Sequence, residues 1–292
     1  MATMAEWIEG ARLRTLAASI SPVLAGTAIA VFEQAFSPLR ALLCLGVSLA
    51  VQIGANYAND YSDGIRGSDA ERVGPQRLVG SGAATPGQVK AAAFVCFGVA
   101  GVLGLVLVAL TGRWWLLAVG AACFLAAWYY TGGKHPYGYY GLGEVFVFIF
   151  FGLVATLGTG YVQLLGLTVA TWWAAIAMGA LACGVLVTNN LRDLASDAAA
   201  GKHTLETRLG DRASRWFYLA LLVVALVGVI AVAAGTTWWA LLGLVMLVFL
   251  GPAGRRVLAG QTGMGLVQTL KYTGFGELAA GLGLLVGCFI GA

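Results

Sequence analysis

The chain has 292 residues, of which 60% are hydrophobic and only 10% are charged, and its formal net charge is +4 at pH 7. Because a water-soluble domain of this size cannot bury so large an apolar fraction, the composition excludes an ordinary globular protein. The positive charge requires no nucleic-acid partner, since basic loops that face anionic lipid account for it. We therefore expect an all-α, polytopic membrane protein.

Polar interruptions divide the chain into apolar stretches of about the 20 residues that a helix needs to cross a bilayer. We predict nine spans, bundled around a central cavity in a single domain that covers residues 1–292. In chain order, the predicted spans are 15–32, 40–60, 88–110, 113–131, 142–163, 171–191, 214–234, 237–252 and 264–290. The last contains Lys271 and Glu277, which predicts a tilted or broken span or a polar cavity beside it.

The second predicted span runs into an acidic segment, NYANDYSDGIRGSD, which begins at Asn56. On a helix, Asn56, Asn59, Asp60 and Asp63 form one stripe. Two carboxylates and two amides at a membrane boundary are costly unless cations occupy the stripe. The segment therefore predicts a site for a hard divalent cation.

The sixth predicted span runs into a second such segment, TNNLRDLASD, which ends at Asp197. Asn189, Asp193 and Asp197 are spaced four apart and share a helix face. Oxygen ligands without histidine or cysteine favour magnesium over zinc, and magnesium commonly uses substrate phosphates to complete its shell. The two segments occupy equivalent places, which predicts a pseudo-repeat of spans one to four and five to eight, followed by a ninth span.

Basic residues are interleaved with both acidic segments. Arginine offers a fork that matches phosphate oxygens, so this mixture predicts a diphosphate site rather than a metal chelator alone. The basic residues concerned are Arg66, Arg72, Arg77, Lys202 and Arg208. The competing interpretation, helix caps and ordinary basic loops, suits either segment alone better than it suits the matched pair.

Orientation follows from the basic residues, because cytoplasmic loops carry the positive excess. With the N-terminus inside, all but Arg40 and Arg113 of the 17 lysines and arginines lie on the cytosolic side. We expect a multi-pass protein of the cytoplasmic membrane whose polar chemistry lies at its cytosolic face.

The strings NDYSDGIRGSD, GPQRLVGSG, NNLRDLASDAAAGKHTLETRLG and TGGKHPYGYYGLGE resemble the UbiA superfamily of intramembrane prenyltransferases, and more narrowly its 1,4-dihydroxy-2-naphthoate branch. The resemblance spans essentially the whole chain. Superfamily members often place a third aspartate three residues after the second. Here five residues, 64–68, lie between Asp63 and Asp69, and this longer spacing makes Asp69 a weaker candidate ligand.

The resemblance implies Mg²⁺-dependent transfer of a polyprenyl group from polyprenyl diphosphate to 1,4-dihydroxy-2-naphthoate, with loss of carbon dioxide, to give demethylmenaquinone. It implies these metal ligands: Asn56, Asp60, Asp63, Asn189, Asp193 and Asp197. It makes Arg66, Arg77, Lys202 and Arg208 candidates for diphosphate contacts. Lys134 is a candidate to pair with the acceptor carboxylate or with phosphate, beside an aromatic group around Trp128 and Phe146.

Two alternatives remain at this point. A superfamily enzyme with another aromatic or tetrapyrrole acceptor would share these motifs. A membrane transporter would also carry intramembrane acids, although transporters usually place them near the bilayer midplane rather than at one face.

Overall fold

The computed structural model describes residues 2–67 and 77–292, so Asp69 and Arg72 lie outside the described residues. Within these ranges the chain is helical and contains no β-strand, as the composition predicts. The helices are α1 (Met4–Gly10), α2 (Ala17–Phe32), α3 (Pro38–Arg66), α4 (Pro86–Thr111), α5 (Leu116–Tyr129), α6 (Gly143–Leu164), α7 (Val169–Ala199), α8 (Leu205–Gly235), α9 (Trp238–Leu258) and α10 (Met264–Gly291).

Each predicted span coincides with a helix. Seven helices, α3, α4 and α6 to α10, are long and apolar enough to cross a membrane. An eighth span is possible where Met4–Thr15 and Ala17–Phe32 meet at a bend of 50°. Helix α5 has 14 apolar residues and is about 21 Å long, less than the roughly 30 Å of a bilayer core. The chain is therefore a multi-pass membrane protein, and the count of nine spans stays a prediction.

Local sequence signals set the helix ends. Thr85 and Gln88 form a capping box that opens α4, with Pro86 in its first turn. Helix α3 continues to Arg66 and ends where Gly67 adopts a φ of 72°. Helices α3 and α7 both run past the boundaries predicted from hydropathy, so both acidic segments are helical.

Two packed groups of helices flank the interior. Helix α7 lies at the centre of the larger group, against α6, α8, α10 and α2, and its buried surface is rich in alanine and glycine. Small side chains let membrane helices approach closely. The smaller group joins α3 and α4 through Tyr57, Val89 and Phe97, together with Leu78 from the turn before α4. Large apolar side chains such as Val102, Trp172 and Phe289 project outward, where lipid solvates them.

Candidate functional site

A cavity of about 1750 Å³ lies between the two helix groups. One part is polar and is formed by the C-terminal turns of α3 and α7. The remainder extends along α4, α5 and α6 between apolar side chains such as Leu105, Leu117 and Val154. The cavity therefore joins a charged end to an apolar length, a shape that suits an amphipathic ligand.

Helix α3 presents Asn56, Asn59 and Asp63 to the cavity. The Asp63 carboxylate is buried and accepts hydrogen bonds from Tyr139 Oη at 2.5 Å and Arg77 Nη2 at 3.3 Å. Asn56 Nδ2 donates to Ala11 O at 2.9 Å. Asn56 thus ties α3 to the bend before α2, whereas Asn59 and Asp63 stand one helical turn apart on the cavity wall.

Asp60 does not share the cavity face with its neighbours. Its side chain is 1% exposed, and its two oxygens accept the backbone N–H groups of Leu78 at 2.8 Å and Val79 at 3.0 Å. A helix turns by about 100° per residue, so Asp60 points away from the direction of Asn59. The four residues of the predicted stripe therefore do not all face the cavity. This geometry does not support Asp60 as a metal ligand. Its hydrogen bonds instead hold the turn that carries Arg77 against α3.

Helix α7 forms the facing wall with Asn189, Asp193 and Asp197, all three of which line the cavity as predicted. The Arg192 guanidinium donates two hydrogen bonds to the Asp193 carboxylate, at 2.7 and 2.5 Å. It donates a third to Asn189 Oδ1 at 2.9 Å. Lys202 Nζ lies 3.5 Å from Asp197 Oδ1. Each of these carboxylates therefore has a cation beside it.

Tyr139 connects the two walls. Its hydroxyl donates to Asp63, while Lys202 Nζ lies 4.9 Å and the Arg66 guanidinium carbon 5.5 Å from the centre of its ring. Its carbonyl accepts the backbone N–H of His203 at 2.9 Å. Tyr139 was not predicted from the sequence, because it lies in a three-residue 3₁₀ turn, Tyr137–Tyr139, which is too short to show a helical period.

The predicted diphosphate contacts separate into two sets. Arg77 and Lys202 line the cavity beside the carboxylates. Arg66 instead donates to the carbonyls of Thr131 and Gly133. Arg208 is exposed and packs near Gly141, and Lys134 is exposed and is not among the lining residues. The placement of Arg66, Arg208 and Lys134 therefore does not support their predicted contacts with substrate.

Asn59, which the sequence places on the acidic stripe but not among the implied ligands, and Arg192, which was not predicted, complete the polar end. Asn59 lines the cavity and accepts a hydrogen bond from Thr131 Oγ1 at 2.8 Å, and Arg192 lines it on the facing helix. A usable signal existed for Asn59: it precedes Asp63 by four residues, as Asn189 precedes Asp193. Near this end, burial raises the pKa of the Tyr137 hydroxyl above its ordinary value.

The donor atoms suit magnesium. Asn59, Asp63, Asn189, Asp193 and Asp197 offer only oxygen and amide groups, which hard cations prefer. Among the described residues, no three histidine, cysteine or carboxylate side chains are grouped as a metal site made of protein ligands alone. The carboxylates are divided between two walls instead, so phosphate oxygens from a substrate would complete the coordination.

Residues 19–264 match the model of the UbiA prenyltransferase family. The 1,4-dihydroxy-2-naphthoate octaprenyltransferase of Mycobacterium tuberculosis is 50% identical over 95% of this chain and 94% of its own length. The Escherichia coli enzyme of the same name is 40% identical over 76% of this chain and 74% of its own.

Solved structures share the fold at lower identity. A UbiA homolog from Aeropyrum pernix K1 has a TM-score of 0.74 at 15% identity and covers 96% of this chain and 98% of that one. A UbiA homolog from Archaeoglobus fulgidus bound to GPP and Mg²⁺ has a TM-score of 0.69 at 12% identity and covers 96% of this chain and 99% of that one.

Proposed function

Because this chain belongs to the UbiA prenyltransferase family, we propose that it transfers a polyprenyl group from polyprenyl diphosphate to 1,4-dihydroxy-2-naphthoate in menaquinone synthesis. The observation that carries the proposal is the 50% identity to the 1,4-dihydroxy-2-naphthoate octaprenyltransferase of Mycobacterium tuberculosis across 95% of the chain. The cavity supports it, since a charged end joined to an apolar length suits a polyprenyl diphosphate.

The polar end would hold the diphosphate. Arg77, Arg192 and Lys202 stand beside the site carboxylates and provide donors for phosphate oxygens. Asn59, Asp63, Asn189, Asp193 and Asp197 would hold magnesium, which when bound neutralises charge on the departing diphosphate. The allylic C–O bond breaks, a C–C bond forms to the naphthalene ring, and carbon dioxide leaves the ring.

The apolar length would protect the allylic cation from water. Apolar and aromatic side chains, among them Phe124, Phe146 and Phe150, line this part of the cavity. A dry wall of this kind prevents capture of the cation by water, and the polyprenyl tail can lie along it.

We propose further that the protein lies in the cytoplasmic membrane with its N-terminus and its polar site on the cytosolic side. The distribution of lysine and arginine supports this orientation. A substrate diphosphate made in the cytosol would then reach the charged end without crossing the bilayer.

The decisive experiment uses the purified protein in detergent with 1,4-dihydroxy-2-naphthoate, a polyprenyl diphosphate and Mg²⁺. We expect a product whose mass corresponds to prenylation with loss of carbon dioxide, and no product with EDTA. An Asp193→Asn protein serves as the matched inactive control. Full activity with EDTA would contradict the metal assignment, and transfer only to a different acceptor would contradict the acceptor.

A further inference from the structure

Asn190 lies between two buried carboxyl groups next to the cavity. Its Nδ2 donates to Glu206 Oε2 at 2.8 Å and to Glu144 Oε1 at 3.1 Å. The side chains of Glu144 and Glu206 are 4% and 0% exposed, and they come from the first turns of α6 and α8. Three separate helices thus meet at one side-chain amide, and the transfer chemistry described above uses none of these three residues.

The two carboxyl groups fix which way the amide points. A primary amide has two N–H donors, and here both are used on carboxyl oxygens. The Oδ1 atom must therefore point away from the two acids. Asn190 lines the cavity, and none of the described residues donates to its Oδ1. The geometry leaves a hydrogen-bond acceptor of fixed direction at the cavity wall.

Aromatic rings line the same cavity as this acceptor, and Phe146 follows Glu144 by two residues on α6. The rings of Tyr137 and Phe146 are stacked with centroids 3.9 Å apart, and Phe146 stacks on Phe150 at 6.0 Å. All three residues line the cavity. Such rings make a flat, apolar surface on which a planar aromatic molecule can stack. The wall therefore combines a stacking surface with one hydrogen-bond acceptor, which matches a hydroxylated aromatic ring better than it matches a diphosphate.

We propose that Asn190 Oδ1 accepts a hydrogen bond from a ring hydroxyl of the aromatic acceptor, and that Glu144 and Glu206 are positioning residues for that amide. The inference rests on the proposed function and adds the group that recognises the acceptor. The hydrogen bond fixes the rotation of the ring in its plane, and so selects which ring carbon meets the allylic carbon. It also leaves more electron density on the hydroxyl oxygen, which favours attack by the ring.

The test compares wild type with Asn190→Leu, using 1-hydroxy-2-naphthoate and 4-hydroxy-2-naphthoate as competitive inhibitors. Each inhibitor lacks one of the two hydroxyls. We expect wild type to bind one of them about tenfold more weakly than the other, the effect of losing one hydrogen bond. In Asn190→Leu this difference should fall below about twofold, while KM for the prenyl diphosphate changes less than about twofold.

The outcomes separate this inference from the proposed function. Preserved discrimination in Asn190→Leu, or an equal rise in KM for both substrates, overturns the role of Asn190. Absence of prenylated naphthoate from wild type overturns the proposed function instead. Gln163→Leu is the matched control, because Gln163 is also a buried amide but bonds to Thr27 and to the backbone of Ser37, away from the cavity.

A second pair of variants decides the matter if Asn190→Leu does not fold. Glu206→Gln keeps an oxygen that can accept from Asn190 Nδ2, whereas Glu206→Leu removes it. We expect Glu206→Gln to change KM for the acceptor less than about twofold and Glu206→Leu to raise it about fivefold, with KM for the diphosphate unchanged. Equal effects of the two substitutions on KM for the acceptor would overturn the positioning role.

Discussion

Asp60 and Asp63 lie three residues apart on α3 and have different surroundings. Asp63 faces the cavity and accepts hydrogen bonds from Tyr139 and Arg77. Asp60 is buried and accepts hydrogen bonds from the backbone N–H groups of Leu78 and Val79. A carboxylate that accepts two backbone N–H groups is well satisfied without a metal. The contacts of Asp60 therefore stabilise the turn that brings Arg77 to the site.

The Asp60→Asn substitution distinguishes a role of Asp60 in anchoring the turn at Leu78 from a role as a magnesium ligand. The amide can accept from only one direction, so one N–H of the turn loses its partner, at a cost of about 1–3 kcal/mol. We expect a lower unfolding temperature in detergent and an unchanged magnesium concentration for half-maximal activity. Asp63→Asn, the matched comparison, should lower kcat at least about 100-fold. A shift of the magnesium dependence in Asp60→Asn would show that Asp60 is a ligand.

Tyr139→Phe tests the link between the two walls. The substitution removes the hydrogen bond to Asp63 but keeps the ring on which Lys202 lies. We expect kcat/KM for the prenyl diphosphate to fall about tenfold, because Asp63 loses a donor that fixes its rotamer. Tyr139→Leu should lower it further, since the cation also loses its aromatic contact. Steady-state kinetics at saturating acceptor measure kcat/KM for both variants. A wild-type value in Tyr139→Phe would contradict a role for the hydroxyl, and equal losses in the two variants would contradict a role for the ring.

Many of the residues that line the polar end could be predicted from residue types and spacing, and the differences between the predicted and observed placements have a physical origin. Asn189, Asp193 and Asp197 recur every four residues, so their common face follows from helix geometry. Asn59 and Asp60 are adjacent, and only the packing of the turn at Leu78 decides which of them faces inward. Tyr139 lies in a short 3₁₀ turn, and its place depends on tertiary contacts that no local pattern encodes.

At the scale of the elements, the close contact of α6 with α7 holds one side of the cavity. A Cβ atom on Gly152 would clash with the backbone of Gly179. This contact occurs where α6 is wound as a π-helix over Phe148–Val154. We expect Gly152→Ala to destabilise the protein by about 1–3 kcal/mol through overpacking.

Gly158→Ala is the matched control on the same helix. Gly158 lines the cavity, and a Cβ atom there would meet no other atom within 4 Å. Thermal unfolding in detergent should therefore show a lower midpoint for Gly152→Ala and an unchanged or higher one for Gly158→Ala. Equal midpoints for the two variants would mean that α6 and α7 can separate without cost.

The positions of the helices were predictable, because apolar length is the main requirement for crossing a bilayer. The residues at which the helices end were less predictable. Hydropathy falls at Asp60 and Arg192, whereas backbone hydrogen bonding continues in α3 to Arg66 and in α7 to Ala199. The π-helical segment of α6 was not predicted either; it coincides with the close approach of Gly152 to Gly179, which is a tertiary contact.

For the whole molecule, we propose that spans one to four and five to eight form a pseudo-repeat, followed by a ninth span. The paired asparagine and aspartate near the ends of α3 and α7 support it, because Asn59 and Asp63 correspond in spacing and placement to Asn189 and Asp193. One acidic helix end from each unit would then enclose the shared cavity. This arrangement requires an even number of crossings between the two acidic ends.

Helix α5 decides whether that requirement is met, because it is short for a membrane span. One added cysteine, in place of either Arg113 or Lys134, would stand just before or just after it, and both positions are exposed. If α5 crosses the bilayer, a membrane-impermeant maleimide should label Arg113→Cys in intact cells and Lys134→Cys only after permeabilisation. Retained activity in Lys134→Cys would also agree with a lysine outside the cavity.

The parent chain provides the labelling background, since its cysteines are buried or half-buried. Labelling of both positions from the same side would mean that α5 returns without crossing. The acidic ends of α3 and α7 would then need another odd number of crossings elsewhere to face one cavity. Because both ends line a single cavity, we expect opposite-side labelling at the two positions if the chain has nine spans.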